Sequence, residues 1–293
     1  MTIPLQKRMN RLYLPRATAL GQVIDLDEEV LHYLSRVLRI LDQTEMWIWN
    51  GQGADFVGQV QYLSKKTAQI ELTQGPIDRT LNELKRPVHI LQGLPEGDKM
   101  DWVLEKCTEL GAAGFVPVQA QRSVVKLKGE RVTKRQAHWE RVVQSAGCQS
   151  ERGFAPSVQA IGDLGASVAQ FRSNNPNAQV LLFHPTAEMS LADWCSLPSQ
   201  LPSQLPSQLP SQSGQAALVQ PFAQPSAQPS AQNSSPPILI GVGPEGGWTA
   251  EELSTAQSAG ATLLRFSNRI LRTETFGIAC LSQLIARLNL EPA

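Results

Sequence analysis

The sequence predicts an α/β chain in two parts, a small β-rich unit over residues 1–78 and a larger unit over 86–293 in which strands and helices alternate. Three observations carry this. Residues 11–74 hold short β-rich or alternating runs broken by Asn50-Gly51 and Gly53, the mark of tight strand connections. Beyond Pro87 the apolar pattern switches repeatedly between strand-like and helix-like periods, as expected of a mostly parallel sheet clothed by helices. At 293 residues, and about 150 per domain, the chain has room for two domains once one foreign stretch is set aside.

That stretch runs uncharged from Trp194 to Pro244, with Leu-Pro-Ser-Gln four times in tandem over 197–212 and Ala-Gln-Pro-Ser twice over 223–230. A proline every fourth residue excludes helix and ladder, so residues 197–236 read as a disordered insertion without chemistry. Loop-closure entropy grows by only about 0.6 kcal/mol per doubling of length, so the insertion can separate two core strands without unfolding them.

In order, the first unit offers runs at 30–34, 45–49, 56–62 and 68–72, and residues 76–87 lead out of it. A strand follows at 88–92. Residues 99–110 place Met100, Val103, Leu104, Cys107 and Leu110 on one helical face, with Asp98 as N-cap and Gly111 as C-cap. Strands are predicted at 115–118, 180–183, 238–242 and 262–266, and a long polar helix at 132–149. Thr249-x-x-Glu252 is a capping box opening a helix to Ser258, and Ile278, Leu281, Leu284, Ile285 and Leu288 form the stripe of a C-terminal helix.

With 26 basic and 26 acidic side chains, net charge predicts neither a general polyanion binder nor a specialist for acidic substrates. Local charge is uneven: residues 1–16 carry Lys7, Arg8, Arg11 and Arg16 and no acid, and residues 117–145 carry seven cations against two acids. Cys107, Cys148, Cys195 and Cys280 form no C-x-x-C pair, which fits reduced cytosolic thiols rather than a zinc site or a disulfide scaffold. No apolar run reaches the ~18–20 residues of a membrane span and the first residues lack a signal-peptide core, so a cytoplasmic protein is expected.

Gly241-Val-Gly243-Pro244-Glu245-Gly246-Gly247 stands between a predicted strand and helix. Its first six residues fit G-x-G-x-x-G, the dinucleotide fingerprint. Against that reading, Pro244 removes a backbone donor, the helix opens only at Thr249, and no acid near residue 266 awaits a ribose. A plain tight turn fits as well, and so does a loop whose bare backbone approaches a flat ligand. Residues 268–275 (Asn-Arg-Ile-Leu-Arg-Thr-Glu-Thr) and 144–152 are further polar clusters at helix ends, each equally readable as ordinary capping with surface ion pairs.

Taken together, Gly-Leu-Pro-x-Gly-Asp-Lys-Met (93–100), Glu105-Lys106-x-Thr108-Glu109-Leu110-Gly111, Gln144-Ser145, Gln149-Ser150-x-Arg152, Gly243-Pro244-Glu245-Gly246-Gly247 and Arg269-Ile270-Leu271-Arg272-x-Glu274-Thr275 resemble the ribosomal small-subunit RNA (uracil-N3)-methyltransferase family. His32-Tyr-Leu-Ser-Arg36-Val37-Leu38-Arg39 resembles that family's N-terminal signature. Two positions depart from the pattern, Glu96 where lysine is common and Phe276 where alanine is usual.

The resemblance implies a PUA-like RNA-binding β-barrel over 1–78 and a SPOUT-type domain over 86–293, whose chain threads a trefoil knot and which works as a homodimer. It implies methyl transfer from S-adenosylmethionine to N3 of a uridine in small-subunit ribosomal RNA, without a metal. Cofactor contacts are expected from Leu182, His184, Gly241, Gly243, Pro244, Glu245, Gly246, Gly247, Ile270, Leu271, Arg272 and Thr273. Arg152 and Arg272 are candidates for orienting the uracil carbonyls or an RNA phosphate, and Gln149 or Glu274 for handling the N3 proton, because that nitrogen must lose a proton to become a nucleophile. RNA contacts are expected from Arg8, Arg11, Arg36, Arg39, Arg122 and Lys126. The competing expectations are another SPOUT-type methyltransferase with a transfer-RNA or different ribosomal target, and an RNA-binding assembly factor without activity.

Overall fold

The computed structural model describes residues 9–197 and 235–291. The predicted insertion lies almost wholly outside the described residues, as does Arg8.

The β-rich runs of the first unit pair into a five-stranded sheet. Strands β1 (Arg11–Tyr13), β2 (Val23–Asp25), β3 (Glu45–Trp49), β4 (Ala54–Tyr62) and β5 (Ala68–Asp78) lie in the order β1-β3-β4-β5-β2, antiparallel except for β1 beside β3. Alternate residues Met46, Ile48, Phe56, Val60, Ile70 and Leu72 join Leu12 and Ile24 in one core. The run at 30–34 is not a strand. It forms α1 (Glu28–His32), which passes into a π-helical turn over Tyr33–Val37. Asp27 explains the difference, since its carboxylate accepts the Val30 amide at 2.9 Å and two glutamates follow in the first turn.

The second unit unfolds in sequence as β6 (Val88–Gly93), α2 (Lys99–Glu109), β7 (Gly114–Val118), α3 (Glu130–Gln149), β8 (Ser157–Val158), α4 (Leu164–Asn174), β9 (Gln179–Phe183), α5 (Leu191–Cys195), β10 (Ile238–Val242), α6 (Ala250–Ser258), β11 (Ala261–Leu264) and α7 (Thr273–Leu288). Its six strands are all parallel, in the order β11-β9-β10-β6-β7-β8. Central strands buried on both faces explain their unbroken apolar runs. Along β10, Ile238, Ile240 and Val242 face the core built with α2, α3 and α7, while Leu239 faces the one built with α4 and α6.

The capping box of α6 forms as predicted, with Thr249 and Glu252 exchanging hydrogen bonds. Gly111 follows α2 with φ +95°, a left-handed position that favours glycine. Asp98 precedes α2 but makes no side-chain cap bond. Helices α4 and α5 escaped the sequence reading, although Asp163 caps the first and a Ser190–Asp193 capping box opens the second. Only α5, at five residues, is too short to show a period; α4 carries a stripe in Leu164, Val168 and Phe171.

Candidate cofactor and RNA site

Parallel strands bring their carboxyl ends to one edge, where ligands of open α/β sheets are bound. Here the ends of β6, β9 and β10 deliver Gln92-Gly93, Phe183-His184 and Gly243–Gly247 side by side. The segment between β11 and α7 closes over the same edge. Thr273, at the start of α7, donates its hydroxyl to the Gly243 carbonyl at 2.6 Å and accepts from the Gln92 amide at 2.8 Å. Gln92 also donates to the Gly93 carbonyl at 2.9 Å and is fully buried. Three chain segments remote in sequence are thus tied by one side-chain relay. The sequence motifs contained Thr273 but assigned no role to Gln92, which reads locally as an ordinary strand residue.

The glycine loop is held on two further sides. Glu245 accepts from the Lys99 ammonium at 2.6 Å and from the Glu96 amide at 3.1 Å. Partial burial pushes the Glu245 carboxyl up, but the Lys99 hydrogen bond, supported by backbone amides, outweighs it and holds the pKa below the ordinary value. Arg122 donates to the carbonyls of Gly246 at 3.2 Å and Trp248 at 3.5 Å. Gly93 is required by contact, because a Cβ there would lie 2.6 Å from the Pro244 nitrogen. At Gly247, with φ +67°, the space a Cβ would point into is open to 4 Å.

These residues fit a cationic nucleoside-type ligand such as S-adenosylmethionine. The glycines leave bare backbone at the strand ends, and two buried acceptors of this region, Gln92 Oε1 and Glu274 Oε2, have no hydrogen-bond partner among the described residues. Of the other expected cofactor contacts, Leu182 and Gly241 pack on each other inside the sheet, so only Leu182's backbone can serve. The His184 amide is bonded to the Leu264 carbonyl and its ring to Thr186. Ile270 is 90% exposed, and Leu271 and Arg272 continue the same loop. Phe276 packs against Phe183 at 5.0 Å and Phe266 at 5.1 Å, filling the space beneath this loop with an aromatic cluster.

Other predicted site residues are corrected. Arg152 is 3% exposed and spends its guanidinium inside the protein, on the Glu83 carboxylate and on the carbonyls of Thr108 and Ala112 at 2.9 Å each. A uracil cannot reach it. Arg11 is likewise consumed, by buried Asp55 at 2.6 Å and by the carbonyls of Gly147 and Arg152. Lys126 donates to the carbonyls of Ala120 and Gln121 and, like Arg122, serves first as a loop brace. Gln149 is exposed at the C-terminal end of α3 and shares a surface groove with residues of α2 and α3 rather than with the cofactor loops. Arg36 and Arg39 are exposed. The basic stretch also contributes three cations that no local partner occupies among the described residues, Lys128, Arg131 and Arg135.

One groove lies away from the glycine loop, between the first sheet and α3, lined by Tyr13, Arg16, Tyr33, Arg141 and Gln144. Its lining mixes cations with Asp25, Asp27 and Glu29.

A parallel sheet with a glycine loop and a threonine-anchored crossover at its carboxyl edge defines a nucleotide-type cofactor-binding α/β domain. The RNA methyltransferase domain family matches residues 82–285, and the chain belongs to that family. It is similar to ribosomal RNA small subunit methyltransferase E of Synechocystis sp., 27% identical over 99% of this chain and 84% of that protein. The protein of the same name from Bacillus subtilis is 26% identical over 87% of this chain and 86% of its own. The crystal structure of a ribosomal RNA small subunit methyltransferase E from Neisseria gonorrhoeae, bound to S-adenosyl methionine, superposes with a TM-score of 0.71 at 27% identity, covering 95% of this chain and 97% of that one. No helix among the described residues is long and apolar enough to cross a membrane.

Proposed function

We propose that this protein transfers a methyl group from S-adenosylmethionine to N3 of one uridine in small-subunit ribosomal RNA. The observation that carries the reading is the relay Gln92–Thr273–Gly243, which ties the glycine loop to the end of β6 and the start of α7 in a chain similar to a ribosomal RNA small subunit methyltransferase. The bound cofactor supplies a methyl already activated on a sulfonium, so the protein's work is alignment and electrostatics. Gly243–Gly247, the backbone at 182–184 and 270–273 hold it, and the buried, unpartnered Gln92 Oε1 offers it an acceptor.

Arg272, exposed at the mouth, orients a uracil carbonyl, and Glu274 takes the N3 proton. N3 lies on the pairing edge, so the target base must leave its stack before reacting. Phosphates are met by Arg36 and Arg39 on the first unit and by Lys128, Arg131 and Arg135 before and within α3. In this reading residues 1–78 are a PUA-like RNA-binding barrel. Residues 86–293 are a SPOUT domain knotted where the 265–272 segment passes the glycine loop. The enzyme is a cytoplasmic homodimer, and exposed Ile270 is an apolar group suited to a partner copy or a bound base.

The test compares ribosomal RNA from wild-type and deletion cells by mass spectrometry, with purified protein and S-adenosylmethionine added back. Loss of one N3-methyluridine and its restoration is the expected result. Unchanged RNA together with no calorimetric heat from S-adenosylmethionine would sink the reading and favour an assembly factor.

A further inference from the structure

We infer that Glu83 and Arg152 are positioning residues that lock the first sheet to the parallel-sheet unit at one angle, so that RNA held by the first is presented in register to the cofactor loops of the second. This rests on the RNA-methyltransferase reading above. Glu83 sits on the connector between β5 and β6. Its carboxylate accepts from Arg152 Nε and Nη2, from the Gly153 amide at 2.8 Å and from the Phe154 amide at 3.1 Å. Arg152 then reaches the end of α2 through the carbonyls of Thr108 and Ala112. From the other side, Arg11 of β1 donates to the Arg152 carbonyl at 2.8 Å while held by Asp55 of β4.

Independent contacts meet at the same joint. The Trp49 indole donates to the Gly153 carbonyl at 2.8 Å, and a Cβ at Gly147 would lie 2.5 Å from that ring. The Gly53 amide donates to the Gly153 carbonyl at 2.9 Å, and Gln52 forms a lone antiparallel bridge with Phe154.

Why spend so many charges at a joint? Two units with separate cores, linked by one connector, move relative to each other by default. A buried ion pair adds little net stability compared with apolar packing, but it tolerates only one geometry because breaking it strands a charge. The free cations lie on both sides of the joint, Arg36 and Arg39 on one unit and Lys128, Arg131 and Arg135 at the start of α3. Helix α3, 20 residues and hence roughly 30 Å long, spans from those cations to the joint, where Gly147 meets Trp49. A fixed angle therefore fixes the spacing between two phosphate-binding surfaces, which makes the joint a gauge for the shape of the RNA.

The test uses the full-length Glu83→Gln variant and small ribosomal subunits from cells lacking the protein. Affinity for S-adenosylmethionine should stay within twofold of wild type, while kcat/KM for the subunits falls on the order of tenfold or more, as misplacement by about an ångström can. Adding the pair Gln52→Cys and Phe154→Cys to Glu83→Gln should restore the rate when oxidised and not when reduced, since the disulfide replaces the lock without its chemistry. Protection of the Gly53 amide from hydrogen exchange should fall in Glu83→Gln and return with the disulfide. Wild-type kcat/KM in Glu83→Gln, failure of the oxidised pair to rescue, or unchanged Gly53 protection would each overturn the lock. A wild-type protein that methylates nothing would instead overturn the underlying function, and the exchange measurement would still decide the joint.

Discussion

Replacing Gly93 with alanine tests the claim that close backbone approach shapes the cofactor loop. The added Cβ would sit 2.5 Å from Pro244 Cδ and 2.6 Å from its nitrogen, where ordinary contact begins at 3.4 Å. The shortfall is 3.4 − 2.5 = 0.9 Å on the first contact and 3.4 − 2.6 = 0.8 Å on the second. The second obstacle is main chain and cannot rotate away. Gly93 has no left-handed φ, so alanine suits the backbone of β6 and the whole effect comes from the collision. Overpacking of this kind costs roughly 1–3 kcal/mol, which for a chain of this size lowers Tm by about 2–4 °C per kcal/mol. Displacing the loop by close to an ångström also misplaces the ligand, with a loss of up to about 10²-fold in rate. Calorimetry should show S-adenosylmethionine binding weakened at least tenfold, alongside the lowered Tm in a thermal melt. Wild-type affinity and Tm in Gly93→Ala would refute the argument that Pro244 rests on bare backbone.

Three other outcomes follow from the same structure. Asp55→Ala removes a fully buried carboxylate from two arginines and should cost about 3–5 kcal/mol in urea unfolding, with a loss below 1 kcal/mol contradicting the ion-pair reading. Burial lowers the His89 pKa to about 4 from 6.5, so the folded chain refuses a proton that the unfolded chain takes up. That stability is present above pH 6.5 and is lost as the pH falls toward 4, a drop on the order of 3 kcal/mol that His89→Leu should abolish in urea titrations. Lys99→Met should move the Glu245 titration upward by NMR, because the depressed value depends on that ammonium. Glu245's contribution to the loop, present above the ordinary carboxylate pKa and lost as pH falls through the depressed one, would then disappear at a higher pH.

Much of this protein was legible in its residues. The parallel strands were readable because they are buried on both faces, which forces runs such as Ile238–Val242, and α6 because its capping box is a local bond. The glycine loop and the segment 268–275 were recognisable as chemistry for a related reason, since their unusual composition is itself local. By contrast, α1 was missed where a single Asp27 cap outweighed a β-rich composition. Helix α5, five residues long, gives almost no period to read, whereas α4 carries a legible cap and stripe in Asp163, Leu164, Val168 and Phe171 that the sequence reading passed over.

The residues alone thus determined the type of most elements, the strand–helix alternation of the second unit and which loops carry unusual chemistry, because period, capping and turn preference act over a few positions. What only the tertiary structure decided is which charges are free to act. Arg11 and Arg152 look in sequence like the other cations, yet Asp55 and Glu83, 44 and 69 residues away, consume them. Gln92 looks like a strand residue until Thr273, 181 positions later, closes on it. Partnership between charges and dipoles depends on distance through space, and no local pattern records the distances that folding creates.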